Sequence, residues 1–272
     1  MDKGTINQLE QMKAQGFTCE GCDKDALANT LLKHIGDPDS SIRDDLIYPC
    51  LAHLFHEKHF NEKELTDYLN IILDRNHLMY DIKNKHQHSV LTRSFSLLQL
   101  VVLIRVHRRD HIINQATITF AFNRFLNYFN KETVLKGYSD DVGWIHTIAH
   151  SADVMDEFMQ VNWFKEDELK MMFEVVLDKM KQKKHVFVFN EDERMVVAIK
   201  SGLTRNMLSE GYILDWIDRF ASTQEITKIP DRIYLNNNIK HFLRSLYFSL
   251  VDHHRYDWMT SHIQAILTTS NH

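Results

Sequence analysis

The stretch "IGDPDSSIRDDLIYPCLAHLF", Ile35 to Phe55, decides the fold. A helix ends at its start, Asp-Pro-Asp supplies capping residues, and an apolar residue followed by Arg43 opens the next helix. Similar openings follow at even intervals. Arg93 in "SVLTRSFSLLQLVVLI", Trp144 in "DDVGWIHTIAHSADVM" and Arg194 in "NEDERMVVAIKSGLTR" stand 50, 51 and 50 residues apart, and a fifth long helix, "NNNIKHFLRSLYFSLVD", comes after about 46 more. One further amphipathic helix lies between successive members: "EKELTDYLNIILDRN", "ATITFAFNRFLNYFN", "KEDELKMMFEVVLDKM" and "GYILDWIDRFAS", with "RYDWMTSHIQAILTT" closing the chain. Helix pairs repeated at 40 to 50 residues predict an all-α solenoid, in which each pair buries its apolar face against the next.

The first of these openings resembles the second-helix motif of HEAT repeats. The resemblance implies a right-handed α-α superhelix of about five to six helix pairs, with the second helix of each pair lining a concave face. Residues 1–272 are read as a single solenoid domain, with inner helices starting near 41, 90, 141, 191 and 236. Arg43 and Arg93 then bond acidic residues or carbonyls at repeat junctions, with ligand binding as the alternative.

Over roughly Asp37 to Thr204 the chain also resembles a family of bacterial proteins known as domain of unknown function 2785. The residues that carry it are "IRDD" (Ile42–Asp45), "TRSFS" (Thr92–Ser96), "GWIHTIAHSAD" (Gly143–Asp153) and "EDER" (Glu191–Arg194). A helical, HEAT-like fold is what this implies; no activity or site comes with it.

Composition agrees with a helical globular chain. Of 272 residues, 44% are hydrophobic and 25% charged, while only 8 Gly and 3 Pro interrupt the helical patterning. Periodicity is helical nearly throughout, and "HVFVF" at His185–Phe189 is the one strand-like scrap. A net charge of −5 offers no large positive field for a phosphate backbone, so nucleic acid is an unlikely partner. The basic runs "RVHRRDH" and "KMKQKKH" follow apolar helices, where cations are favoured by the exposed C-terminal carbonyls. "CEGC" at Cys19–Cys22 has redox or metal spacing without a second ligand pair or a preceding strand, so a turn between the first two helices is the default. Three thiols suit a reducing compartment. The N-terminus has no apolar signal core, and "VVLI" at Val101–Ile104 is far shorter than the ~20 residues of a membrane helix. These features predict a cytoplasmic protein with no membrane contact.

"GWIHTIAHSADVMDE", Gly143–Glu157, is the chemical candidate. On a continuous helix His146, His150, Asp153 and Glu157 share one stripe about 60° wide, opposite Trp144, Ile148, Ala152, Met155 and Met159. In the solenoid register this stripe faces the middle of the groove. Imidazoles at i and i+4 can reach one ion and Asp153 can complete or orient them, which points to a divalent metal: Zn, Mn or Fe. Neighbouring inner helices would add Asp45, Gln99 and Lys200, of which the lysine opposes a cation. A solvated or structural face is the competing reading, because 17 histidines fall four apart by chance fairly often and no H-E-x-x-H motif is present. Asp140 and Asp141 read as helix caps rather than ligands. Trp144 would floor the groove, and Arg43, Asp45, Arg93 and Arg194 complete its candidate ligand-binding set.

Two functions follow. The first is a HEAT-like solenoid that binds a protein, peptide or small ligand in its groove. The second is a hydrolase using His146 and His150 as metal ligands or as an acid/base pair, with Asp153 orienting one imidazole. Oligomeric state is open.

Overall fold

The computed structural model describes residues 1–19, 21–83, 87–222 and 228–269. These are mostly helical. The helices are α1 (Lys3–Ala14), α2 (Lys24–Lys33), α3 (40–56), α4 (Glu62–Ile72), α5 (Gln87–Asp110), α6 (Gln115–Lys131), α7 (Thr147–Met159), α8 (Glu166–Met180), α9 (Glu191–Thr204), α10 (Glu210–Ala221), α11 (Asp231–Leu250) and α12 (Asp257–Thr269). One hairpin, β1 (Tyr138–Ser139) and β2 (Gly143–Trp144), precedes α7.

The helices start where capping chemistry places them. Asp23, Asn114 and Ser209 each accept a hydrogen bond from the backbone N–H three residues on, and Asn61 forms a reciprocal capping box with Glu64. In α3 the segment Arg43–Ile47 is wound as a π-turn, with the Tyr48 amide donating to the Arg43 carbonyl. Pro49 explains it, because proline has no N–H to offer the carbonyl four residues back and the ladder shifts by one.

The chain divides into two compact units, Met1–Val154 and Met155–His272. In the first, α3 packs on α5, with α2 against α3 and α4 against α5. In the second, α9 packs on α11 and α8 on α10, and α12 lies against both α10 and α11. Contacts reaching past the adjacent helix are also visible in the hydrogen bonds. The first unit has Arg124 Nε donating to Leu73 O, 51 residues away. The second has Trp216 Nε1 to Phe173 O, Lys200 Nζ to Ser249 O and Phe187 N to Asn238 Oδ1, at separations of 43, 49 and 51. Aromatic rings fill the second core, where Phe220 stacks on Phe242 and Trp216 meets both edge-on.

Helix α5 is the one helix among the described residues that is long and apolar enough to cross a bilayer by length and composition, over Ser89–Asp110. Of its most apolar window, 83% is buried inside the protein, so its apolar character serves the core. Cys19 and Cys22 are paired as a disulfide with Cα atoms 5.6 Å apart, while Cys50 is a buried free thiol.

Two sequence expectations are corrected here. "HVFVF" forms no strand; Asn238, 2% exposed, ties this segment down by donating to the Gln182 and His185 carbonyls. The inner helix expected near 141 begins only at Thr147. Gly143, at φ 73°, takes the left-handed position that closes a three-residue loop, and the Val142 amide donates to the Ser139 carbonyl. Asp140 and Asp141 therefore sit in a hairpin turn rather than capping a helix.

Candidate functional site

The hairpin is held rigidly by buried groups from α3 and α5. Arg43, with no solvent exposure, donates through Nη2 to the carbonyl of Val142 at 2.8 Å and more distantly to that of Trp144 at 3.5 Å. Through Nη1 it donates to Asp37 O at 2.8 Å, its Nε lies 2.8 Å from Asp44 Oδ1, and its guanidinium lies 4.7 Å over the Phe95 ring. Burial pulls its pKa down, against the pull of Asp44. The hairpin is thus anchored by main-chain acceptors. Ser139 and Val142 are buried, and Tyr138 and Trp144 are left to face outward.

Those side chains form a continuous aromatic row. Tyr138 (36% exposed) meets Trp144 (43% exposed) edge-on at 4.9 Å, and Trp144 stacks on His146 at 4.4 Å with ring planes 5° apart. His146 lies 5.6 Å from His150, and His150 meets the Phe95 ring edge-on at 5.7 Å. Because Phe95 is the ring under Arg43, the row closes on the residue that anchors the hairpin.

His150 has a defined tautomer. Its Nδ1 lies 2.9 Å from Ser94 Oγ and 3.3 Å from Ser94 O, and the Ser94 hydroxyl donates to the Ile145 carbonyl. A carbonyl only accepts, so Ser94 spends its proton on Ile145 and Nδ1–H must be the donor to Ser94. Neutral His150 therefore keeps its lone pair on Nε2, the arrangement of a base or of a metal-ligating imidazole.

The other expected residues are placed differently. His146 caps the start of α7, its carbonyl accepting from His150 N, but its φ of 50° is not helical, so its side chain does not follow the helical stripe. His150 is 6% exposed, Asp153 is half-buried, and Glu157, which belongs to the second unit, is 2% exposed. The amphipathic groove-facing stripe is thereby replaced by a helix enclosed on nearly every side. Arg93 is fully buried: it grips Glu132 at 2.7 and 3.1 Å and donates to Tyr80 O at 2.9 Å. Arg43 and Arg93 are accordingly enclosed in the core and form no ligand-facing surface. Asp45 is exposed and pairs with Lys13 at 3.3 Å. Gln99 is fully buried, and Arg194 is half-buried in the first turn of α9. Among the described residues no three His, Cys, Asp or Glu side chains are grouped to hold a metal ion.

Sequence reasoning assigned no role to Ser94, Phe95, Tyr138 or Glu132. "TRSFS" was the available signal: Arg93, Ser94 and Phe95 each make a buried contact in this network.

The family described as protein of unknown function (DUF2785) matches residues 78–248, more than half of the chain. The chain is a member of the DUF2785 family. The match covers "TRSFS", the hairpin, the histidines and "EDER", and leaves "IRDD" outside it. No curated protein and no solved structure matches this DUF2785 protein.

Proposed function

We propose that this is a cytoplasmic bacterial binding protein, a HEAT-like right-handed superhelix of stacked helix pairs that presents a preorganised aromatic hairpin to a protein, peptide or small ligand. Hydrogen bonds at separations of 43 to 51 residues support the stacked-pair reading, since a repeat near fifty residues would bring positions about that far apart side by side. The observation that carries the binding reading is the exposed Trp144–His146 stack on a backbone pinned by buried Arg43. Large apolar rings held in one conformation lose little entropy on meeting a ligand, which is why such rings dominate binding sites.

The test is a screen of peptides and aromatic metabolites by thermal shift and intrinsic fluorescence, repeated with Trp144→Ala. A ligand that stabilises the native protein and fails on a variant of unchanged melting temperature is the expected result. Equal binding to both would place the ligand elsewhere.

One observation favours a second reading, hydrolysis with His150 as base or ligand to Zn, Mn or Fe: the Nδ1–H to Ser94 contact that leaves Nε2 unprotonated. Here His146 lends the second imidazole. Elemental analysis of the purified protein and of His150→Ala decides it, with stoichiometric metal lost in the variant as the supporting outcome and a metal-free native protein as the opposing outcome for the metal-dependent form.

A further inference from the structure

A cleft of about 720 Å³ in the first unit, between the turn after α4 and the C-terminal half of α6, shares no residue with the hairpin site. Four cations line it, Arg75, Lys83, Arg124 and Lys131, against one carboxylate, Asp81. Arg124, Asn127 and Lys131 come from α6 at i, i+3 and i+7, a spacing that sets them on one helix face, while Arg75 and Lys83 come from the turn.

Ordinary surface chemistry accounts for part of this. Lys131 ends α6, where a cation is favoured by the helix dipole, and Arg124 spends its Nε on the Leu73 carbonyl at 3.0 Å. Neither account covers Arg75 or Lys83. Among the described residues the side chains of Arg75, Lys83 and Lys131 have no ion-pair or hydrogen-bond partner. In a chain of net charge −5, four cations crowded round one concavity repel one another and focus a positive field into it.

We propose that this cleft is a binding site for a small polyanion carrying two or more phosphate-type groups. Arg124 is preorganised, because its Nε–carbonyl bond fixes the guanidinium while leaving both Nη groups as donors for an oxyanion fork. Arg75, Lys83 and Lys131 neutralise the remaining charge. The volume suits a compact ligand, since small-molecule sites run from about 300 to 1,000 Å³. A nucleic acid would need a continuing basic track and would meet a chain that is negative overall.

Inorganic triphosphate is the probe, titrated calorimetrically into the full chain in low salt. Binding at one site is expected, weakened about tenfold or more in Arg75→Ala/Lys131→Ala and retained in Arg75→Lys/Lys131→Arg. Both positions are exposed, so the variants keep the fold, checked by an unchanged melting temperature. Absence of triphosphate binding at millimolar concentration overturns the proposal. So does equal binding by the alanine variant, or tighter binding of a duplex oligonucleotide or polyglutamate than of triphosphate.

Discussion

Arg93 and Glu132 meet in the interior of the first unit through two parallel hydrogen bonds, Nε to Oε2 at 2.7 Å and Nη2 to Oε1 at 3.1 Å, and neither residue is more than 2% exposed. Glu132 also accepts from Tyr128 OH at 3.1 Å and Val134 N at 2.8 Å. Burial holds the Tyr128 phenol far above its ordinary pKa, so it stays a donor. Every charge here is compensated. Removing one partner strands the other: Arg93→Met should cost about 3 to 5 kcal/mol in denaturant unfolding, whereas Arg93→Met/Glu132→Leu should recover much of it. A double variant no more stable than the single would refute this account.

Gly36 sets how closely the turn after α2 approaches α5. A Cβ there would lie 2.2 Å from Thr92 Oγ1 and, more seriously, 2.6 Å from Thr92 N and 2.8 Å from its Cα. Backbone cannot move aside cheaply. Gly36→Ala is expected to destabilise by about 2 kcal/mol or more, and adding Thr92→Ala should not restore the loss, as melting curves of the three proteins would reveal.

His107 should make stability depend on pH. Burial, helped by the charge of His111, lowers its pKa from 6.5 to about 4, so the folded state favours the neutral ring. The unfolded chain takes up the proton first as pH falls. Stability from this group is therefore complete above about 6.5 and is lost as pH drops from there to about 4, below which both states are protonated. Urea unfolding between pH 7 and 4 should show this slope, flattened in His107→Gln; an unchanged slope in the variant would remove His107 from the account.

The three cysteines should react in two classes. Cys50 is fully buried, and that burial pushes its thiol up to about 12, leaving almost no thiolate at neutral pH. After reduction, Cys22, the least buried of the three, should react with a thiol reagent in the native protein, and Cys50 only in denaturant. Three thiols reacting at native pH with equal rates would contradict the burial.

The sequence carried the helical period well because periodicity and caps act locally. Starts at Ser40, Glu62 and Glu210 each follow a residue, Asp39, Asn61 and Ser209, whose side chain accepts from a backbone N–H of the first turn. The hairpin at 138–144 was missed for a local reason too. "SDDVGW" offers acidic residues that suit a helix start equally well, and only pairing of Tyr138 with Trp144 around a left-handed Gly143 decides against it.

By itself, then, the sequence determined the all-α class, the positions of most helix ends and the family. Tertiary structure alone decided which polar residues are enclosed. A helix face has no fixed exposure of its own, since exposure is set by partners 39 to 99 residues away: Glu132 for Arg93, the Val142 carbonyl for Arg43, Ser94 for His150. That is why the histidine spacing was legible and its environment was not: His150 is held by a serine on another helix, and His146 stands before α7 rather than on it.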